Sequence, residues 1–451
     1  MRKEQYLVEG SSINPVLRFQ KNTIVELLIL FLYKHLLEFL FIPSYLKTWG
    51  YMYNNFTYNS NYTKTAISDI MLLLLILVYY LHRNKSNMYD FAFKLLICLS
   101  IIPALALYST NANLSLSSVF YPCLYFLVFA VFINIIPNKT ERIKIKIGKI
   151  QNIDRIVLWS SFAFVIVFWM YLGFPVALSV DDAYEQRMLM RTKSLPSLVN
   201  YLYLMLGNAI IPYLFVKFLM NKKPMSAAIS FITGLLLFFS NGMKTWLILY
   251  FLGFALLICA RLFKYIYSRI VISIEFFFCA IILLSWMLYS KMDFMELHGQ
   301  LGRILLIPSN IGYKYISFFS DPSNELLYLR ESILKFFFQS PYSGGSDFYI
   351  NYGANSTLTS ARANNGLWGD AYRNFATIGV IFYPILLIFV IKIIISNMKK
   401  QRMDVQLFVI LLLIWSSINS SFFTWLLTGG IILLTIILKT ENDKENKDEN
   451  N

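Results

Sequence analysis

Arg187 and Arg191 stand four residues apart in the polar stretch DDAYEQRMLMRTKSLPS (181–197), between two strongly apolar ones. On a helix that spacing puts both guanidiniums on one face. A guanidinium is planar and always charged, and its paired N–H groups match the oxygens of a phosphate. The pair therefore suits an anionic phosphate or diphosphate group; the plainer use is snorkelling toward lipid headgroups. Lys244 in SNGMKTW could hold a second phosphate or anchor a helix end at an interface. Arg303 follows His298 by five residues in LHGQLGRILLIPSN. Arg362 and Arg373 lie in NYGANSTLTSARANNGLWGDAYRNFATIGV (351–380), beside most of the chain's other site-like residues.

That last stretch combines amides, hydroxyls and aromatic rings. Tyr352, Trp368 and Tyr372 offer flat apolar faces of the kind that cover sugar rings, and Asn364, Asn365 and Asn374 offer orienting hydrogen bonds. Asp370, about one turn before the next apolar segment, is the best-placed carboxylate for accepting a proton. Its structural alternatives are a helix N-cap or an ion pair with Arg373. His298 is a second candidate base, although a lone loop histidine is more often incidental. There is no phosphate-binding glycine loop, no dinucleotide fingerprint, no HExxH and no DxD-like pair. Cys98, Cys123, Cys259 and Cys279 all fall in apolar segments without metal-ligand spacing. No metal and no cofactor are expected.

The elements that must position these residues are membrane helices. The 451-residue chain is 57% hydrophobic and 14% charged, with a mean hydropathy of +0.56. Soluble domains average about 25% charged residues. The apolar residues fall in blocks at 24–43, 66–81, 95–109, 118–136, 156–178, 197–216, 225–240, 245–260, 270–290, 375–395, 405–421 and 423–438. These read as twelve spans of an all-α polytopic protein. Residues 1–290 would hold nine spans, 291–374 one large outer loop, 375–438 three spans, and 439–451 a disordered cytoplasmic tail. With both termini inside, the inner segments carry 26 Lys and Arg against 6 in the short outer loops, as membrane topology requires. Arg187, Arg191 and Lys193 then lie outside, against that rule. The net charge of +15 comes from scattered inter-span residues rather than a stripe, which argues against nucleic acid as a partner. The segment 405–438 reads as a hairpin about Ser420–Ser421 or as one long helix, and the apolar ILKFFF (333–338) as interfacial.

GRILLIPSNIGYKYISFF followed by NNGLWGDAYRNFATIGVIFYPIL resembles the Wzy-type oligosaccharide repeat-unit polymerases that make O-antigen and capsule. The matching positions are Arg303, Pro308, Tyr315, Phe318, Phe319, Asn364, Gly366, Asp370, Asn374, Phe375 and Gly379. Ala376 stands where that family often has glycine, and Lys244 where it often has arginine. The resemblance implies a GT-C-like, inverting, metal-independent glycosyltransferase in the bacterial inner membrane. Its substrates would be an undecaprenyl-diphosphate-linked oligosaccharide donor and acceptor, drawn from the surrounding membrane lipid. A chain-length regulator and a flippase of the same pathway would be its partners. Arg187, Arg191, Lys244, Arg303, Arg362 and Arg373 would bind the diphosphate. Tyr315, Asn364, Asn365, Trp368, Tyr372 and Asn374 would bind the glycan, and Asp370 or His298 would be catalytic. The alternatives are an O-antigen ligase-like transferase and a flippase or other transporter.

Overall fold

The computed structural model describes residues 21–49, 56–82, 87–136, 152–177, 179–193, 195–263, 267–343, 345–352, 366–399 and 401–448. Among them the chain is helical, with one isolated bridge between Tyr58 and Asn111 and no strand. The helices are α1 (21–49), α2 (Tyr62–His82), α3 (87–110), α4 (Leu116–Ile135), α5 (Ile153–Tyr171) and α6 (Val180–Thr192). Next come α7 (Ser197–Met220), α8 (Pro224–Asn241), α9 (Lys244–Leu262) and α10 (Tyr267–Leu288). The rest are α11 (Met292–Leu305), α12 (Ile307–Phe319), α13 (Ser346–Tyr352), α14 (Leu367–Asn397), α15 (Met403–Ile418), α16 (Phe422–Leu427) and α17 (Ile431–Asp448).

Among the described residues ten segments are long and apolar enough to cross a membrane, and each overlaps one of the apolar blocks of the sequence. The other two blocks are helical as well. One is α1, which carries Glu26, Lys34 and Glu38 in its interior. The other is α15, which is apolar but only 16 residues long. The protein is an all-α polytopic membrane protein. In α1 the charges are compensated inside the bundle: Lys34 Nζ lies 2.5 Å from Glu38 and 2.7 Å from Asp69 of α2.

Three of the helices contain a π-type turn, at 37–41, 97–101 and 206–210. Each is followed at once by Ile-Pro: Ile42–Pro43, Ile102–Pro103 and Ile211–Pro212. A proline ring collides with the carbonyl four residues back and offers that carbonyl no N–H. Widening the turn just ahead of the proline relieves the collision and lets the helix continue.

Two parts of the chain differ from the reading of the sequence. Much of 291–374 is built into the bundle: in α12 Tyr313 OH donates to the Ala104 carbonyl at 2.8 Å, and Pro308, Tyr315 and Ile316 are buried. The tail expected to be disordered from residue 439 continues α17 to Asp448. Its first turns are tied down at Glu441, which pairs with Lys217 and accepts from Tyr213 OH at 2.9 Å and Gln401 Nε2 at 2.9 Å. At 403–441 the chain breaks at 419–421, where a hairpin was one of the two readings. A second break at 428–430 separates α16 from α17.

Candidate functional site

A cavity of about 230 Å³ opens between α6, α7, α9, α11 and the end of α15. It brings together Arg187 of α6, Lys244 of α9 and Arg303 of α11, along with Asn208, Gln300, Asn419 and Ser420. No carboxylate is among its lining residues. Three basic side chains on three separate helices thus surround one space rich in amide and hydroxyl groups, an arrangement suited to an anion.

Local sequence explains how each wall is held. Ser179 and Asp182 form a capping box that starts α6. That helix docks on the turn between α8 and α9, where Arg187 Nη2 donates to the Gly242 carbonyl at 2.9 Å. Gly242 has φ +64°, and a Cβ there would lie 2.0 Å from the Ala183 carbonyl oxygen, so only glycine allows both the turn and the contact. On α11, Gly299 and Gly302 press against the rings of Trp49 and Tyr45 in α1. With that face fixed, Gln300, Arg303 and Ile304 line the cavity. Asn208 comes from the π turn ahead of Pro212. Its amide is oriented by Trp246, whose Nε1 donates to Oδ1 at 2.8 Å, and by the Thr428 carbonyl, which accepts at 3.2 Å.

One carboxylate touches this wall from the side. Glu296 lies 3.5 Å from Lys244 Nζ and accepts from Gln300 Nε2 at 2.6 Å, with about half of its side chain exposed. Sequence reasoning missed Glu296, Asn208, Gln300, Asn419 and Ser420. The available signals were the i, i+4 spacing of Glu296 and Gln300 and the Ile-Pro that follows Asn208.

The structure takes Asp370 elsewhere. Asp370 is 1% exposed and its oxygens are fully engaged. Arg373 donates from Nε at 3.0 Å and approaches from Nη2 at 2.9 Å; Asn374 Nδ2 donates at 3.2 Å and the Phe422 N–H at 2.8 Å. The ion pair with Arg373, one of the structural alternatives, is the arrangement found. Arg373 also donates to Asp347 at 3.2 Å and to Tyr315 OH at 3.2 Å. Asn374 Oδ1 accepts from the Leu329 N–H at 2.9 Å, holding a turn in which Tyr328 and Leu329 both have positive φ. This network fastens the 320–347 segment to α14. Asp370 and Arg373 are therefore corrected from a proton-accepting carboxylate and an anion-binding cation to a buried pair, because each compensates the other's charge inside the protein.

The aromatic platform is corrected in the same way. Trp368, Tyr372, Tyr315 and Asn374 are 2%, 4%, 1% and 4% exposed. The Trp368 ring occupies the space that a Cβ at Gly312 would take, and Tyr372 OH bonds Ser320 at 2.8 Å. These faces pack the interior and are not presented to a ligand. His298 is also buried, between Ser285 Oγ at 2.7 Å, Ser44 Oγ at 3.2 Å and the rings of Phe41, Tyr45 and Tyr289. Burial pushes its pKa down to about 4, so it is neutral at physiological pH. It is a packed core histidine, corrected from a candidate base. Arg191 lies on α6 but its side chain is outside the described residues, as are Tyr352's side chain and Arg362, Asn364 and Asn365 altogether.

α14 itself is two helices joined at Phe375 and Ala376. Ala376 has φ +46° and ψ −135°, a conformation that favours glycine. Across the kink, a Cβ at Gly379 would lie 2.1 Å from the Ala371 carbonyl oxygen. No protein family, curated protein or solved structure was found to match this chain.

Proposed function

We propose that the protein is a membrane glycosyltransferase of the repeat-unit polymerase kind, acting on polyprenyl-diphosphate-linked glycans at the outer face of a bacterial inner membrane. The observation that carries this reading is the convergence of Arg187, Lys244 and Arg303 on one cavity whose lining contains no carboxylate. A sugar diphosphate supplies the two linked anionic groups that such a cavity suits. As the bond between the anomeric carbon and the diphosphate oxygen breaks, negative charge grows on the leaving group, and preorganised cations stabilise it. A hydroxyl of the acceptor glycan forms the new bond to that carbon from the opposite side, inverting it. The hydroxyl proton must pass to a base. Glu296 is placed for that role because it contacts Lys244 and Gln300 at the cavity edge, whereas Asp370 and His298 are sealed in the core.

Deletion of the gene tests the reading in cells. Surface glycan should be capped at a single repeat unit, with lipid-linked single units accumulating on the outer leaflet. Accumulation on the cytoplasmic leaflet would instead identify a transporter. Normal chain lengths from an Arg187→Ala, Arg303→Ala double variant would remove the cavity from the mechanism.

A further inference from the structure

Four ionisable side chains meet inside the bundle, beside the half of α10 remote from α11: Glu26 of α1, Asp90 and Lys94 of α3, and Glu275 of α10 are all buried. Lys94 Nζ lies 2.7 Å from Glu26 and 3.3 Å from Asp90. Tyr80 OH donates to Glu26 at 2.5 Å and Tyr79 OH to Asp90 at 3.1 Å. These donors serve two of the three carboxylates. Glu275 is the third: it is 2% exposed, and neither of its oxygens has a hydrogen-bond partner among the described residues. It lies within range of the charges of Lys94, Glu26 and Asp90. Cys98 of α3, Cys279 of α10 and, beside both, Tyr33 of α1 are further titratable groups close by.

Three carboxylates against one ammonium would leave two uncompensated negative charges in the interior of the bundle. An ionised carboxylate removed from water without a partner is far costlier than a neutral one. Ionisable groups retained within a membrane bundle commonly mark sites where ions or protons bind. The void beside Glu275, Lys94 and Cys98 measures about 10 Å³, space for roughly one water molecule. A metal ion requiring several oxygen ligands does not fit there, and Lys94 already occupies the cation's place.

We propose that Glu275 is a proton-binding site: it holds one proton as a neutral carboxylic acid while Glu26 and Asp90 share the Lys94 ammonium. Binding is simple addition of H⁺ to the carboxylate, with no other reactant. Losing the proton would set a third anion against Glu26 and Asp90 and loosen α10 from α3. At its other end α10 leads through residues 289–291 into α11, which carries Gln300 and Arg303 to the cavity. Glu275 and the cavity wall are thus connected along the chain through α10 and residues 289–291. The inference rests on the buried cluster and stands whether or not the cavity binds a sugar diphosphate.

Infrared spectroscopy of the full chain in lipid nanodiscs near neutral pH tests it. The wild type should show the carbonyl stretch of a protonated carboxyl group in a dry environment. Glu275→Gln should lose that band. Glu275→Gln copies the neutral acid, so its melting midpoint should match that of the wild type. Absence of the band from the wild type would overturn the proposal, as would its survival in Glu275→Gln. A large drop in the Glu275→Gln melting midpoint would show that an ionised Glu275 pairs with Lys94, and would overturn it too.

Discussion

Replacing Asp370 by asparagine removes one negative charge from a buried network while keeping the side chain's shape. In the native protein Asp370 accepts from Arg373, Asn374 and the Phe422 N–H; once Asp370 is neutral, Arg373 keeps the carboxylates of Asp347 at 3.2 Å and Glu331 at 3.9 Å and the Tyr315 hydroxyl at 3.2 Å. Removing the sole partner of a buried charge costs about 3–5 kcal/mol; Arg373 keeps two other carboxylates, so that figure is an upper bound here. At about 2.1 cal/mol/K of unfolding entropy per residue, a chain of 451 residues should melt lower, by at most roughly 3–5 °C. The turn at Tyr328 and Leu329 should loosen with it, since Asn374 holds that turn and is itself bonded to Asp370. The assay is a melting curve of purified Asp370→Asn in nanodiscs beside its single-turnover rate below the transition. Folded variant should keep transfer within about tenfold of wild type, since no proton passes through Asp370. If the melting midpoint is unchanged while turnover falls by about 10²–10⁴-fold, as loss of a general base does, the structural role argued for Asp370 is wrong.

Arg303→Ala should slow transfer by roughly ten- to a hundredfold, from about 1.5–3 kcal/mol per charge-assisted bond. Arg303→Lys should restore it only in part because an ammonium lacks the planar fork; full rescue by lysine in the same turnover assay would reduce Arg303 to a point charge. Ala376→Gly should raise the melting midpoint: relief of a strained backbone worth about 1–3 kcal/mol outweighs the roughly 0.5–1 kcal/mol that glycine loses in chain entropy. A lowered midpoint would contradict the strain. His298, held at a pKa of about 4 against about 6.5 when unfolded, binds fewer protons in the native state between those values. Its contribution to stability is complete above about pH 6.5 and is lost as the pH falls toward 4. Melting midpoints measured across that range should fall more steeply for the wild type than for His298→Gln, and parallel slopes would dismiss the assignment.

The membrane helices were legible in the sequence because burial in hydrocarbon demands long continuous apolar segments, and that demand acts on each segment by itself. Asp370 with Arg373 was legible as a possible pair for a similar reason, since three residues on a helix bring side chains together. What no local rule contains is which side of each helix faces which neighbour. Gly299 and Gly302 decide that Gln300 and Arg303 face the cavity, but only because Trp49 and Tyr45 of α1 pack against them. Arg187 reaches the same cavity because Gly242 admits α6 at backbone contact, a fit between residues more than fifty positions apart. Tertiary packing also divides residues that the sequence places side by side: in 367–374 every side chain from Trp368 to Asn374 is buried, so the stretch that reads as a site serves as the fastening of one. Residue type supplies the chemistry a side chain can perform, and three-dimensional packing alone decides whether water or a ligand can reach it.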